Sequence, residues 1–142
     1  MNDKFLKPYN SLETEDRINA LWEKSGFFNP DVCVKKCITA PDAEPFSIVL
    51  PPPNVTGVLH LGHALENSLM DVMARYQRMQ GKKVLLLPGT DHAAIATQSK
   101  VDGIIYKEEG KRRQDLGRDE LIKRVEKFAQ ESHDTIVSQI KK

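Results

Sequence analysis

The chain has 142 residues, 21 Lys and Arg against 20 Asp and Glu, a formal net charge of +1 and 39% hydrophobic residues. That length fits one ordinary domain with its own core, and the near-zero charge excludes a strong nonspecific pull on nucleic acid or membrane. Any nucleic-acid contact must come from local patches or from segments beyond this sequence. No stretch approaches a membrane span, and the N-terminus carries Lys4 and Lys7 without the apolar run of a signal peptide, so a soluble cytoplasmic protein is expected. Cys33 and Cys37 are too few for a disulfide scaffold. As a C-x3-C pair without nearby Cys or His they are weak zinc ligands, and no protein-bound metal is expected.

In chain order, Ser11 to Ser25 predicts a helix with Ile18, Leu21 and Trp22 on one face and Gly26 as its stop. Residues 27–45 read as loop, punctuated by Pro30, Pro41 and Pro45. Phe46 to Leu50 is a short β-favouring run halted by three prolines. A helix is expected from about His63 to Gln80, burying Leu65, Leu69, Val72, Tyr76 and Met79, with Gly81 ending it. Val84 to Leu87 reads as a second, fully buried strand stopped by Pro88-Gly89. Two helices should follow, from about Ala93 to Glu109 and from about Asp119 to Ile140. The second has a stripe of Leu121, Val125, Phe128, Ile136 and Ile140.

Strand, loop, helix and strand make one βαβ unit of a parallel sheet. The fold class is α/β, a partial Rossmann-like parallel sheet with flanking helices. Two strands leave an unpaired apolar edge, so the chain is expected to be the cut-short part of a larger sheet.

In open parallel sheets, ligands bind beyond the carboxyl ends of the strands. There the first strand runs into Pro51-Pro52-Pro53-Asn54-Val55-Thr56-Gly57-Val58-Leu59-His60-Leu61-Gly62-His63, and the second into Gly89-Thr90-Asp91-His92. Parallel strands put both loops on one edge, so His60 and Asp91 are expected to line one pocket. Neither G-x-G-x-x-G nor G-x-x-x-x-G-K-[ST] occurs. Instead, a helix start suits an anion, Gly62 admits a flat base or ribose close to the backbone, and His60 and His63 can donate to phosphate oxygens. Plainer readings stand beside these. The two histidines also suit capping and packing of a helix start, Asp91 suits the N-cap of a helix beginning at His92, and Asn54 suits a turn. Pro51 to Pro53 also serve as strand terminators. His92 reads as structural, His133 as part of a solvated helix face, and Lys107 to Arg113 as a solvated loop.

The stretch Pro51 to His63 resembles the His-hydrophobic-Gly-His signature region of class I aminoacyl-tRNA synthetases. Pro-Pro-Pro-Asn-Val-Thr-Gly, followed by Gly89-Thr90-Asp91-His92-Ala93-Ala94-Ile95-Ala96-Thr97-Gln98, is similar more narrowly to their valyl branch. Isoleucyl and leucyl relatives usually carry other residues before the glycine and tend to have Gly-Trp-Asp at the second loop. The likeness runs from about Tyr9 to the end. It implies ATP-dependent formation of valyl-adenylate, followed by transfer of valine to tRNA, with magnesium arriving on ATP. By that resemblance His60 and His63 are catalytic, steadying the phosphates. Thr56, Gly57, His60, Gly62 and His63 form the ATP site, and Pro52, Asn54 and Asp91 the valine site, with Asp91 on the ammonium. A synthetase for isoleucine, or a nucleotide- or tRNA-binding module without turnover, remain the alternatives.

Two positions depart from the family pattern. Ala94 replaces a usual glycine, where a methyl would crowd a close helix approach, and Leu86 replaces a common aromatic. The Lys-Met-Ser-Lys-Ser loop and the editing insertion do not occur in this sequence. The resemblance therefore implies residues 1–45 as an N-terminal helical extension and 46–142 as the first half of the catalytic domain. The rest of the synthetase chain then joins ATP, valine and tRNA as a partner.

Overall fold

Helix α1 spans Ser11–Ser25 and ends where Gly26 turns left-handed at φ 70°, its amide bonding back to the Trp22 and Glu23 carbonyls. The computed structural model describes residues 8–141; Lys4 and Lys7 lie outside them. Ile18 and Trp22 are half-buried, but Leu21 is exposed. The Trp22 ring is held from two sides, by the Arg75 guanidinium 4.2 Å from its centroid and by Phe28 edge-on at 5.8 Å.

The stretch expected to be all loop contains a short helix, α2, at Pro30–Lys35. Pro30 is its first residue, where a missing N–H costs nothing, and the Asn29 side chain caps it by accepting from the Asp31 amide at 2.8 Å. Six residues are too few to show a helical period, which is why the pattern hid it.

Strand β1 (Pro45–Val49) pairs in parallel with β2 (Lys83–Leu87), Phe46 facing Val84 and Val49 facing Leu87. Between them runs α3, Leu61–Met79, which starts two residues earlier than periodicity suggests because His60 caps it. The strand–helix–strand order is the expected partial Rossmann-like unit, with α/β class and helices around a two-stranded sheet. Helix α4 covers Ala94–Glu109, and its C-cap Gly110 is left-handed. A single turn, α5 (Arg113–Leu116), leads into α6, Arg118–Ile140. No helix among the described residues is long and apolar enough to cross a membrane.

Two burial expectations are overturned. β2 is not fully buried: Val84 is inside, whereas Leu85 and Leu87 are 38% and 48% exposed. A sheet covered on one face alternates, and Val49 opposite Leu87 is open as well. The α3 stripe Leu65, Leu69, Val72, Tyr76 and Met79 faces outward, each residue being more than half exposed. Ala74 is the buried residue of that helix. The stripe was apolar enough to predict a buried face, but nothing among the described residues covers it.

The expected α6 stripe holds, from Leu121 through Ile136 to Ile140. Its centre is a cluster of Val55, Ala129 and Ile136, with Leu59 and Ile140 packed around it. The best-buried cluster thus lies under the loop that follows β1.

Candidate functional site

Pro51, Pro52 and Pro53 carry no N–H, so the parallel ladder cannot continue through them. The last regular bond is the Leu50 amide to the Leu87 carbonyl at 3.0 Å. Beyond the prolines the ladder resumes for one step. The Asp91 amide donates to the Pro53 carbonyl and the Val55 amide donates to the Asp91 carbonyl, both at 2.9 Å. This bridge sets Asn54 directly beside Asp91. One fewer residue separates β2 from Asp91 than β1 from Asn54, so the first loop bulges relative to the second.

Past the bridge the first loop turns through Thr56 and Gly57, and no atom lies within 4 Å of where a Gly57 Cβ would stand. It then reaches the α3 start. There the His60 ring accepts from the Gly62 amide at 3.1 Å, and the His63 ring accepts from the His60 amide at 3.2 Å. The two rings stack at 3.9 Å with a 30° tilt. This is a capping box built from imidazoles instead of the usual hydroxyl and carboxylate. In both rings Nδ1 is the acceptor, which leaves Nε2 as the protonated, donating nitrogen. Capping and donation to a ligand are therefore compatible, since they use different nitrogens of the same ring. Gly62 has a structural reason to be glycine: a Cβ there would stand 2.9 Å from the His60 ring.

Asp91 is exposed, and its Oδ1 accepts from the Ala93 amide at 2.9 Å. It does not N-cap a helix starting at His92, as the plainer reading had it. α4 begins at Ala94, and Asp91 instead closes an Asx-type turn over His92 that ends at Ala93, which sits left-handed at φ 43°. One carboxylate oxygen holds the turn, and the other carries no hydrogen bond among the described residues. The His92 carbonyl is fixed by the hydroxyl of Thr97, 1% exposed, at 2.6 Å. Ala94 lies exposed on the first turn of α4.

The structure thus brings Asn54 and Asp91 together. At this edge a crevice of about 10 Å3, room for about one water, is lined by Pro51, Pro53, His63, Pro88 and Gly89. Pro52 touches the position a Gly89 Cβ would occupy, at 4.0 Å. Two larger open clefts flank it. One of about 500 Å3 runs past Trp22, Asn67, Arg75, Leu86 and Pro88, and one of about 380 Å3 past Thr90, His92, Thr97, Gln130 and His133.

Two residues that sequence reasoning did not place at the site touch it from α6. His133, expected on a solvated face, is half-buried, with Nδ1 2.9 Å from the Thr90 hydroxyl. Gln139 accepts from the Leu59 amide at 2.9 Å. A signal existed: the apolar stripe of α6 skips from Phe128 to Ile136, and His133 fills that gap. Lys107 to Arg113 is exposed as expected, but not idle. Glu109 pairs with Arg124 and, at 3.1 Å, with Lys111, while Arg124 also pairs with Glu120 at 2.9 Å. The hydrogen bonds from Arg124 and then Lys111 hold the Glu109 carboxyl below its ordinary value of 4.5. Cys33 and Cys37 are free thiols, and no group of three metal-ligating side chains occurs among the described residues.

Residues 17–142 match the family described as tRNA synthetases class I (I, L, M and V), and the chain belongs to that family. Its relatives include the valine–tRNA ligase of Chlamydia caviae, 47% identical over 98% of this chain, and that of Treponema denticola, 49% identical over 96%. The valine–tRNA ligase of Chlamydia pneumoniae is 44% identical over 98%. In each case the chain spans 14% of the relative's length.

Proposed function

We propose that this chain supplies the amino-acid- and phosphate-binding part of a valine–tRNA ligase. In that reaction the valine carboxylate attacks the α-phosphorus of ATP, an O–P bond forms, and pyrophosphate leaves to give valyl-adenylate. A ribose hydroxyl of tRNA then takes the valyl group and AMP departs. The observation that carries the reading is the bridge at Asn54 and Asp91, because it sets the two signature loops edge to edge beyond the parallel strands.

Within it, the unbonded oxygen of Asp91 pairs with the valine ammonium, Asn54 beside it supports that contact, and Pro52 forms the wall near the isopropyl group. His60 and His63 donate from Nε2 to the phosphates, with Thr56, Gly57 and Gly62 lying along the nucleotide. Magnesium comes with ATP as part of the substrate. The work of these residues is positioning and charge stabilisation. We further propose that residues 1–45 form an extension and 46–142 the first half of a catalytic domain that further segments complete. The accessible surface of 10950 Å2 supports this, since a folded monomer of 16.1 kDa is expected to expose about 7400 Å2.

The test is valine-dependent exchange of pyrophosphate into ATP by the full-length protein. Asp91→Asn keeps the acceptor that holds the Ala93 turn but removes the charge. It is expected to weaken valine activation by about 10- to 100-fold, the worth of a charge-assisted hydrogen bond. Unchanged exchange in Asp91→Asn removes the assignment, and no exchange in the native protein favours a binding module without turnover.

A further inference from the structure

The two signature loops are joined to each other by a single bridge, yet each is also fastened to one helix. His133 of α6 meets the hydroxyl of Thr90, the residue before Asp91, at 2.9 Å. Gln139 of the same helix meets the amide of Leu59, the residue before His60, at 2.9 Å. Between these two contacts sits Ile136, fully buried against Val55, which lies one residue past Asn54 and is itself fully buried. Positions 133, 136 and 139 are each three apart, a step of about 60° around the helix, so His133 and Gln139 flank Ile136 about 120° apart from each other. Six residues of helix span about 9 Å, so the helix acts as a ruler that fixes how far apart the two loops are held.

From this the geometry points to α6 as a positioning strap: His133 sets the Asp91 loop and Gln139 sets the His60 helix start, with Ile136 as the packed fulcrum. Neither side chain reaches a reacting atom, so both are positioning residues. The inference rests on the proposed valine activation for its consequence, but not for its geometry. Its consequence is a division of labour. Loosening His133 disturbs the residue proposed to hold the amino acid, and loosening Gln139 disturbs those proposed to hold ATP. A merely structural loss would lower the active fraction and leave both KM values where they were.

The experiment uses the full-length protein with His133→Leu, His133→Asn and Gln139→Leu. Pyrophosphate exchange yields separate KM values for valine and ATP, and hydrogen–deuterium exchange follows peptides covering residues 54–62 and 88–94. His133→Leu is expected to raise the valine KM about five- to tenfold, the worth of one hydrogen bond, with the ATP KM within about twofold. His133→Asn, whose amide retains a polar group near the Nδ1 position, restores most of it. Gln139→Leu is expected to do the reverse, raising the ATP KM by a similar factor. Deuterium uptake should rise in the 88–94 peptide for His133→Leu and in the 54–62 peptide for Gln139→Leu. Equal changes in both KM values, or uptake unchanged in both peptides, overturn the strap. If the native protein shows no valine-dependent exchange while uptake responds loop by loop, the functional reading fails and the strap stands.

Discussion

Replacing Ile136 with Ala removes three carbons from a side chain that is 0% exposed and packed against Val55 and Ala129. At about 0.8 kcal/mol per buried carbon the transfer loss alone is about 2.4 kcal/mol, and the cavity left behind carries the cost into the range of about 2–5 kcal/mol. Leu69 and Ile136 both belong to apolar stripes that periodicity alone does not tell apart. At 59% exposure Leu69 has less than half its surface to lose, and Leu69→Ala should cost about 1 kcal/mol or less. Urea unfolding of the 142-residue chain, in an osmolyte that raises every midpoint into the measurable range, compares both. With a slope of about 2 kcal/mol per molar, the Ile136→Ala midpoint falls by about 1 M or more and the Leu69→Ala midpoint by less than half of that. Equal losses, or a loss below about 1 kcal/mol for Ile136→Ala, would refute the placement of the core beneath the first loop.

Gly62→Ala should leave stability within about 1 kcal/mol of native, because better helix propensity offsets a weakened cap. The same change should displace the His60 ring, since the new Cβ would stand 2.9 Å from it; loss of the His60–His63 stack in ring-proton NMR shifts checks this. Glu109, whose carboxyl is lowered by Arg124 and Lys111, binds protons more readily unfolded than folded. Its contribution is therefore present above pH 4.5 and is lost as pH falls through the lowered folded value. The stability gap between native protein and Glu109→Gln should close on acidification, and shrink in high salt because the pairs are exposed. A gap that is constant from pH 7 to pH 3 would contradict this. The 142-residue chain by itself should be marginally stable, given its open apolar α3 face; a cooperative transition with a high midpoint at dilute concentration would count against that.

Most elements were legible because their stops are chemical. Gly26 and Gly110 terminate helices by turning left-handed, and three prolines end β1 by withholding donors. The parallel sheet edge could be inferred from strand order alone, and it correctly put the two loops together. What the sequence hid has physical causes. The α3 stripe is strongly periodic, but periodicity records that a face is apolar, not that anything in the same chain covers it. Capping by the two histidines was legible from their residue type and place, but hydrophobic spacing alone set the start of α3 two residues late, at His63. Asp91 suited an N-cap, yet its carboxylate holds a left-handed Ala93 and does not cap α4. His133 and Gln139 are 43 and 80 residues from the groups they bond, and no local pattern encodes such a distance.

The most direct test of the central claim is pyrophosphate exchange by the full-length protein with valine and isoleucine compared side by side. Exchange driven by valine, and at least about tenfold less efficiently by isoleucine with its extra methylene, is the predicted result. Equal or greater exchange with isoleucine would contradict the assignment of the Pro52–Asn54–Asp91 site to valine.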